Sequence, residues 1–119
     1  MPEGKICYIE IPCVNAEASA AFYSKIFGWK TRARGDGHLA FDDTTGAVSG
    51  TWVAGRPPSR EPGVLVYIMV DHIESALPEL TAAGGRVVTP FTSLGGGDAY
   101  ATFADPAGNL FGLYQQPNK

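Results

Sequence analysis

Residues 38–52 read HLAFDDTTGAVSGTW, and residues 100–114 read YATFADPAGNLFGLY. The two stretches align without gaps at an offset of 62 positions, and several positions carry the same residue. The identical pairs are Phe41/Phe103, Asp43/Asp105, Gly46/Gly108 and Gly50/Gly112. Similarity at a fixed spacing is typical of a duplicated structural unit. The sequence therefore predicts two copies of one module.

The first copy carries signals for a strand, a helix and three further strands. Residues 5–14 are rich in β-formers and predict the opening strand. Asn15 is a typical helix N-cap, and Gly28 is a typical helix end. Turn residues then separate three short segments that favour strands, the last of which ends near residue 54.

The same order begins again after a polar, proline-rich linker at residues 55–63. Asp71 and Glu74 have the spacing of a capping box, so a helix is expected to begin at Asp71. The sequence thus predicts a βαβββ order for module one, about residues 5–54, and for module two, about residues 64–116. Both modules are expected to belong to a single domain over residues 1–119.

Composition excludes several classes of partner. The formal net charge of −3 builds no basic stripe, so a nucleic acid is not expected as a partner. No segment reaches the roughly 20 apolar residues that span a bilayer, and the N-terminus lacks a signal-peptide layout. We therefore expect a cytoplasmic protein without a membrane partner. Cys7 and Cys13 lie too far apart on one predicted strand for a disulfide, so both are expected to be free thiols.

Three motifs point to a known family: IEIP at residues 9–12, AFYSKIFGW at residues 21–29, and ADPAGN at residues 104–109. Together with the duplication they resemble the vicinal oxygen chelate superfamily of glyoxalases, bleomycin-resistance proteins and extradiol dioxygenases. The resemblance covers about residues 5–116. It implies an α+β fold in which two βαβββ modules form a cup-shaped, curled mixed sheet with helices on the outer face. It also implies a homodimer.

Catalytic members of this superfamily hold a divalent metal with four side chains, one from the first and one from the last strand of each module. The matching positions here are Tyr8, Gly50, Val66 and Gly112. The two first-strand positions are open to a shift of one residue, to Cys7 or Ile9 and to Leu65 or Tyr67, and neither shift restores four ligands. Glycine and valine offer no ligand atom, and a protonated tyrosine is a poor ligand. We therefore expect no metal and no other cofactor, and a divalent metal would require ligands at other positions.

A cup without a metal can still bind a small molecule. Residues two apart on a strand share a face, so Trp52 is expected beside Gly50 and Tyr114 beside Gly112. The predicted cup has a glycine floor, aromatic walls that suit a flat or cationic compound, and a carboxylate. The candidate ligand-binding residues are Tyr8, Glu10, His38, Gly50, Trp52, Val66, Gly112 and Tyr114.

Three functions remain open at this point. The leading hypothesis is a metal-free protein of the glyoxalase/bleomycin-resistance type that binds an aromatic or cationic small molecule. The alternative is an enzyme of the same superfamily, a lyase, isomerase or dioxygenase, which depends on a metal or uses Glu10 as an acid or base. Glu10 is also consistent with a solvated or ion-paired carboxylate that has no catalytic role, and this interpretation is the favoured one of the two. A structural or regulatory subunit with a vestigial cup is the third hypothesis.

Overall fold

The computed structural model of the chain describes residues 3–117, which form two helices and eight strands. The elements are β1 (Tyr8–Cys13), α1 (Ala16–Phe27), β2 (Lys30–Ala33), β3 (Leu39–Asp42), β4 (Ser49–Ala54), β5 (Tyr67–Met69), α2 (Ile73–Ala82), β6 (Arg86–Gly95), β7 (Asp98–Ala104) and β8 (Leu110–Gln115). The βαβββ order occurs twice, which confirms the predicted α+β fold class. Within the described residues, neither helix is long and apolar enough to cross a membrane.

Each module contributes its own four-stranded mixed sheet. The strand orders are β1-β4-β3-β2 and β5-β8-β7-β6. In both sheets the first strand pairs in parallel with the last strand of its module, and the remaining pairs are antiparallel. The mixed sheet expected from the sequence is therefore divided into two sheets, with β1 and β5 as one edge of each.

The ends of α1 follow the signals read from the sequence. The side chain of Asn15 accepts a hydrogen bond of 2.9 Å from the backbone N–H of Ala18. Gly28 closes the helix with a φ of 72°, and its N–H donates to the carbonyl of Ser24 at 2.9 Å. The left-handed conformation at this end is the one that glycine adopts most readily. Both predicted caps are confirmed.

The start of α2 differs from its prediction. The N-cap is His72, which makes no capping hydrogen bond with its side chain, so the predicted capping box of Asp71 and Glu74 is wrong. The free N–H of Ile73 instead donates to Oε1 of Gln115 at 2.8 Å. The first turn of a helix needs hydrogen-bond acceptors for its N–H groups. Here Gln115 on β8 supplies an acceptor that the residues next to the helix do not.

One aromatic cluster joins the two modules. The ring of Tyr23 on α1 stacks on Trp29 with centroids 4.7 Å apart, and it meets Phe111 of β8 edge-on at 5.8 Å. The neighbouring Phe22 lies 6.0 Å from Phe103 of β7. Thus α1 of module one covers strands of both sheets, and the two modules share a single core.

The turn between β7 and β8 carries a buried polar network that also crosses between the modules. Asp105 is 3% exposed and accepts hydrogen bonds from the Tyr23 hydroxyl at 2.8 Å and from Nδ2 of Asn109 at 2.9 Å. The same Asn109 amide donates to the carbonyl of Pro12 on β1 at 2.7 Å. Buried polar groups are tolerated when they are paired in this way.

The cysteines agree with their prediction. Cys7 is exposed, Cys13 is buried, and both are free thiols. Burial, and secondly the negative charge of Asp105, raise the pKa of the Cys13 thiol above its usual value.

Candidate functional site

Each sheet has two faces. One carries the buried core side chains and is called the core face, and we call the other the open face. In the first sheet, β1 and β4 pair in parallel with Ile9 opposite Gly50 and Ile11 opposite Trp52. Because side chains alternate along a strand, these residues share the core face. Tyr8 and Glu10 point to the open face, as do the strand positions opposite them on β4, Ser49 and Thr51.

Gly50 and Trp52 therefore belong to the core and do not form part of a cup with Tyr8. Trp52 is only 2% exposed, and its ring lies 4.8 Å from that of Phe41. Gly50 provides space for the same ring, since a Cβ atom at this position would lie 2.4 Å from Cζ of Phe41. The expected cup wall of Tyr8 and Trp52 on one face is wrong.

Gly50 and Trp52 face the core because the turn before β4 is one residue longer than the turn before β8. The turn from β3 to β4 is closed by a hydrogen bond from Asp43 N–H to the carbonyl of Val48, and the turn from β7 to β8 is closed from Asp105 to Asn109. Phe41 consequently lies opposite Gly50, whereas Phe103 lies opposite Phe111. A shift of one residue turns every side chain of a strand to the other face.

In the second sheet three tyrosines gather on the open face around Gly112. We call Tyr67, Tyr100 and Tyr114 the tyrosine face. The ring centroid of Tyr67 lies 6.4 Å from those of Tyr100 and Tyr114, and both contacts are edge-on. A Cβ atom at Gly112 would lie 2.4 Å from the Tyr67 ring, so glycine lets this ring lie on the β8 backbone. Gly112 is thus covered by Tyr67 and is not a bare floor.

Two of these tyrosines, Tyr67 and Tyr100, were not among the candidate ligand-binding residues predicted from the sequence. Tyr67 lies directly opposite Gly112 on β5, one position after the expected residue Val66. Tyr100 lies opposite Tyr114 on β7. Tyr100 could have been predicted, because it aligns without gaps with the candidate residue His38 and so has the same position in the repeat.

Polar groups accompany the tyrosine face. The hydroxyl of Tyr114 donates to Oδ2 of Asp98 at 3.1 Å, and this hydrogen bond is the main reason why the pKa of Tyr114 is raised. Thr102, opposite Gly112 on the same face, is 6% exposed. Its hydroxyl has no hydrogen-bond partner among residues 3–117. An unpaired buried hydroxyl is unfavourable, by about 1–3 kcal/mol, and a nearby polar group could remove this cost.

The open face of the first sheet carries charged side chains beside one tyrosine, Tyr8. Glu10 is half exposed and forms an ion pair with Arg56, with Oε1 and Nη2 at 2.9 Å. Asp42 accepts hydrogen bonds from Nε of Arg32 at 2.9 Å and from Oγ of Ser49 at 2.6 Å. These two hydrogen bonds lower the pKa of Asp42 to about 2. The expected carboxylate Glu10 is thus present on an open face, and it is already ion-paired.

Cavities bring some of the predicted residues together. Glu10, His38 and Trp52 line one cavity of about 270 Å³. Arg34 and Asp36, which form an ion pair at 2.9 Å, line it too. Val66 lies between the sheets, where it and Ile9 line two cavities of about 120 and 160 Å³. Tyr8 is 47% exposed and lines none of these cavities. The predicted residues therefore form at least two groups. Glu10 shares one cavity with His38 and Trp52 and another with Val66, whereas Gly112 lies with Tyr114 on the second sheet.

A divalent metal does not fit the positions that the resemblance assigns to its ligands. Gly50 points to the core face and away from Tyr8, and Ser49 takes the place opposite Tyr8. Across the described part of the chain, no three His, Cys, Asp or Glu side chains converge in a group that could hold a metal ion.

Comparison with known proteins places this geometry in a family. The model of the Glyoxalase/Bleomycin resistance protein/Dioxygenase superfamily matches residues 5–113. A glyoxylase-like domain-containing protein of Didymella fabae is 32% identical, over 98% of this chain and 97% of that protein. The anthracycline biosynthesis protein DnrV of Streptomyces peucetius is 27% identical over 95% of this chain, and the match spans about half, 47%, of its length.

The solved structures agree on the fold. The crystal structure of a member of the Glyoxalase/bleomycin resistance protein/dioxygenase superfamily from Sphaerobacter thermophilus superimposes with a TM-score of 0.76. It covers 95% of this chain and 98% of the other, at 18% identity. The chain belongs to the Glyoxalase/Bleomycin resistance protein/Dioxygenase superfamily.

Proposed function

We propose that the chain binds a flat aromatic compound with a positive charge on the tyrosine face. The observation that carries this proposal is the grouping of three tyrosine rings on an open sheet face, with Tyr67 46% exposed. Aromatic rings offer stacking surfaces and attract cations. The carboxylate of Asp98 next to Tyr114 adds a negative charge at one end of this surface.

Two further features support a ligand at this place. Thr102 has a buried hydroxyl without a partner in the described region, so a polar ligand atom that reached it after a movement of Tyr67 would gain a hydrogen bond. The relative from Streptomyces peucetius is named as an anthracycline biosynthesis protein. Anthracyclines combine fused aromatic rings with an amino group, which is the chemistry that the tyrosine face suits.

Fluorescence titration with doxorubicin, an anthracycline, tests the proposal, with its uncharged aglycone as the comparison ligand. Tyr67→Ala should weaken binding by about 2- to 10-fold, the range expected for one lost aromatic contact. Tyr8→Ala is a matched control, because Tyr8 is 47% exposed and lies on the open face of the other sheet. Equal losses in the two variants, or wild-type protein that binds neither compound, would count against the tyrosine face. Stronger binding of the charged compound would support the role of Asp98.

A second candidate function is an acid–base reaction at the cavity of Glu10 and His38. It is favoured by the fact that these two titratable side chains line the same cavity, with Arg34 beside them. We propose α-hydroxyketones and 2-oxoaldehydes as test substrates, with exchange of the α-proton for solvent deuterium followed by NMR. Glu10→Gln should abolish exchange if Glu10 moves the proton. Exchange that is identical in Glu10→Gln and wild type would refute this candidate.

We also propose that the chain forms a homodimer. Exposed apolar side chains on β5 and β6, the two edge strands of the second sheet, support this, since Met69 is 56% exposed, Val88 45% and Leu94 55%. Exposed apolar surface of this kind often marks an interface between proteins. Light scattering coupled to size-exclusion chromatography would detect it, and a monomeric mass at all concentrations would exclude it.

A further inference from the structure

A separate cavity of about 310 Å³ lies where β6 begins and β7 ends. Arg86 is opposite Ala104 in the pairing of these two strands, and Arg60 reaches the cavity from the linker. The other residues that line it are Val88, Ala104, Gly108 and Leu110. Two arginines thus line one cavity, and its other lining residues are apolar or glycine.

The backbone around Arg60 is fixed although the residue belongs to the linker. The N–H of Ser59 donates to Oδ1 of Asn109 at 2.8 Å, and the carbonyl of Ser59 accepts from the N–H of Leu110 at 2.8 Å. The Arg60 side chain runs close to Gly108, where a Cβ atom would lie 3.7 Å from Nε. Gly108 has a φ of 98°, a conformation that other residues rarely adopt. Arg60 is therefore attached at the cavity by a rigid turn.

The charges of these two arginines are not balanced within the described chain. The other three arginines each form an ion pair, Arg32 with Asp42, Arg34 with Asp36, and Arg56 with Glu10. No carboxylate among residues 3–117 lies within ion-pair distance of Arg60 or Arg86.

The acidic residues next to this cavity in sequence do not change that balance. The carboxylate of Asp105 takes its hydrogen bonds from Tyr23, Asn109 and backbone N–H groups of its own turn. Glu61, next to Arg60 in the chain, is exposed and forms no ion pair with a described residue. Both arginines are exposed, so solvent and salt screen the repulsion between their like charges and any attraction to an anion, and both are strongest at low ionic strength.

We propose that Arg60 and Arg86 together bind the oxyanion of a small molecule, a phosphate or a carboxylate group. The planar guanidinium group presents pairs of N–H donors that match the oxygen atoms of both groups. Leu110, the first residue of β8, lines this cavity, whereas Tyr114 and its partner Asp98 lie near the other end of β8. The oxyanion would therefore lie at the end of β8 that is far from Asp98. The site stands on its own residues and does not depend on what binds the tyrosine face.

Calorimetric titration of the full chain with inorganic phosphate, and separately with acetate, at low ionic strength tests this site. Saturable binding is expected in wild type, and either Arg60→Gln or Arg86→Gln should weaken it by about tenfold or more. Arg56→Gln is the matched control, since it also removes an arginine but at a paired position, and it should change binding by less than about twofold. The ratio of phosphate to acetate affinity tells which of the two oxyanions the site prefers.

Three outcomes would overturn the proposal: no saturable binding of either anion, an adventitious ion only that all three variants bind equally, or equal losses in Arg56→Gln and Arg86→Gln. Thermal unfolding of each variant, compared with wild type, separates loss of the site from loss of the fold. Tyr67→Ala should leave phosphate binding unchanged, so failure of this site and failure of the tyrosine face are distinguishable.

Discussion

Substitution of the two repeat-related glycines by alanine should have very different effects on stability. At Gly50 a Cβ atom would lie 2.1 Å from the carbonyl oxygen of Ile9 and 2.4 Å from the ring of Phe41. Phe41 cannot yield, because its ring is 4.5 Å from Trp29 and 4.8 Å from Trp52 within the core. Overpacking against backbone and core should lower the free energy of unfolding by about 3 kcal/mol or more.

At Gly112 the same added Cβ atom would meet the ring of Tyr67 at 2.4 Å. Tyr67 is 46% exposed, so its ring can turn toward solvent at small cost. Alanine also reduces the freedom of the unfolded chain, which stabilises by about 0.4–1 kcal/mol and offsets part of the loss. We therefore expect Gly112→Ala to change the free energy of unfolding by less than about 1 kcal/mol.

Urea unfolding followed by tryptophan fluorescence measures both variants, since Trp29 and Trp52 are 7% and 2% exposed and report on the core. For a chain of this length, 3 kcal/mol corresponds to a decrease in Tm of roughly 10 °C. Gly50→Ala within about 1 kcal/mol of wild type would refute the assignment of Gly50 to the core face. So would a Gly112→Ala variant that is destabilised as strongly as Gly50→Ala.

Two further substitutions test the contacts that join the modules. Tyr23→Phe removes a hydrogen bond to the buried carboxylate of Asp105 and should cost about 1.5–3 kcal/mol in urea unfolding. Burial, and secondly Asp105, raise the pKa of Tyr23 well above its usual value. The stability that the Tyr23 hydroxyl contributes is therefore complete below pH about 10 and is lost as pH rises further. This alkaline loss should be smaller in Tyr23→Phe, and an unchanged dependence of the free energy of unfolding on pH would contradict the reasoning. Gln115→Ala removes the acceptor for Ile73 N–H and should cost about 1 kcal/mol, whereas Asp71→Ala should cost almost nothing; the reverse order of melting temperatures would restore the capping box.

The parts of the fold that depend on local signals could be predicted from the sequence. Asn15 and Gly28 act on the helix that directly adjoins them, so their cap roles follow from neighbouring residues alone. The end of α2 that Gln115 caps could not be predicted in this way, because its acceptor comes from a strand 42 residues away. A local motif that fits a capping box gives no warning that a distant side chain will take its place.

The site was harder to predict from the sequence, because it depends on which side chains of each strand lie on the open face. Gly50 and Gly112 align in the sequence, but they are not equivalent in the two sheets. Ala40 and Thr102 also align, and their strand partners are Thr51 and Gly112. The structural equivalent of Gly112 in the first sheet is therefore Thr51. Nothing in the composition of either turn reveals the one extra residue before β4. Assignment of a face therefore requires the pairing register, and the register comes from the structure.

The contact between Tyr23 and Asp105 has a consequence for synthesis of the chain. The two residues are 82 positions apart, and a ribosome that adds about 5–20 residues per second needs roughly 4–16 s to make the intervening chain. During this interval the aromatic side of α1 has neither Phe103 nor Phe111 to cover it. The nascent first half thus exposes aromatic surface until the second half has been translated, and only then can the shared core close.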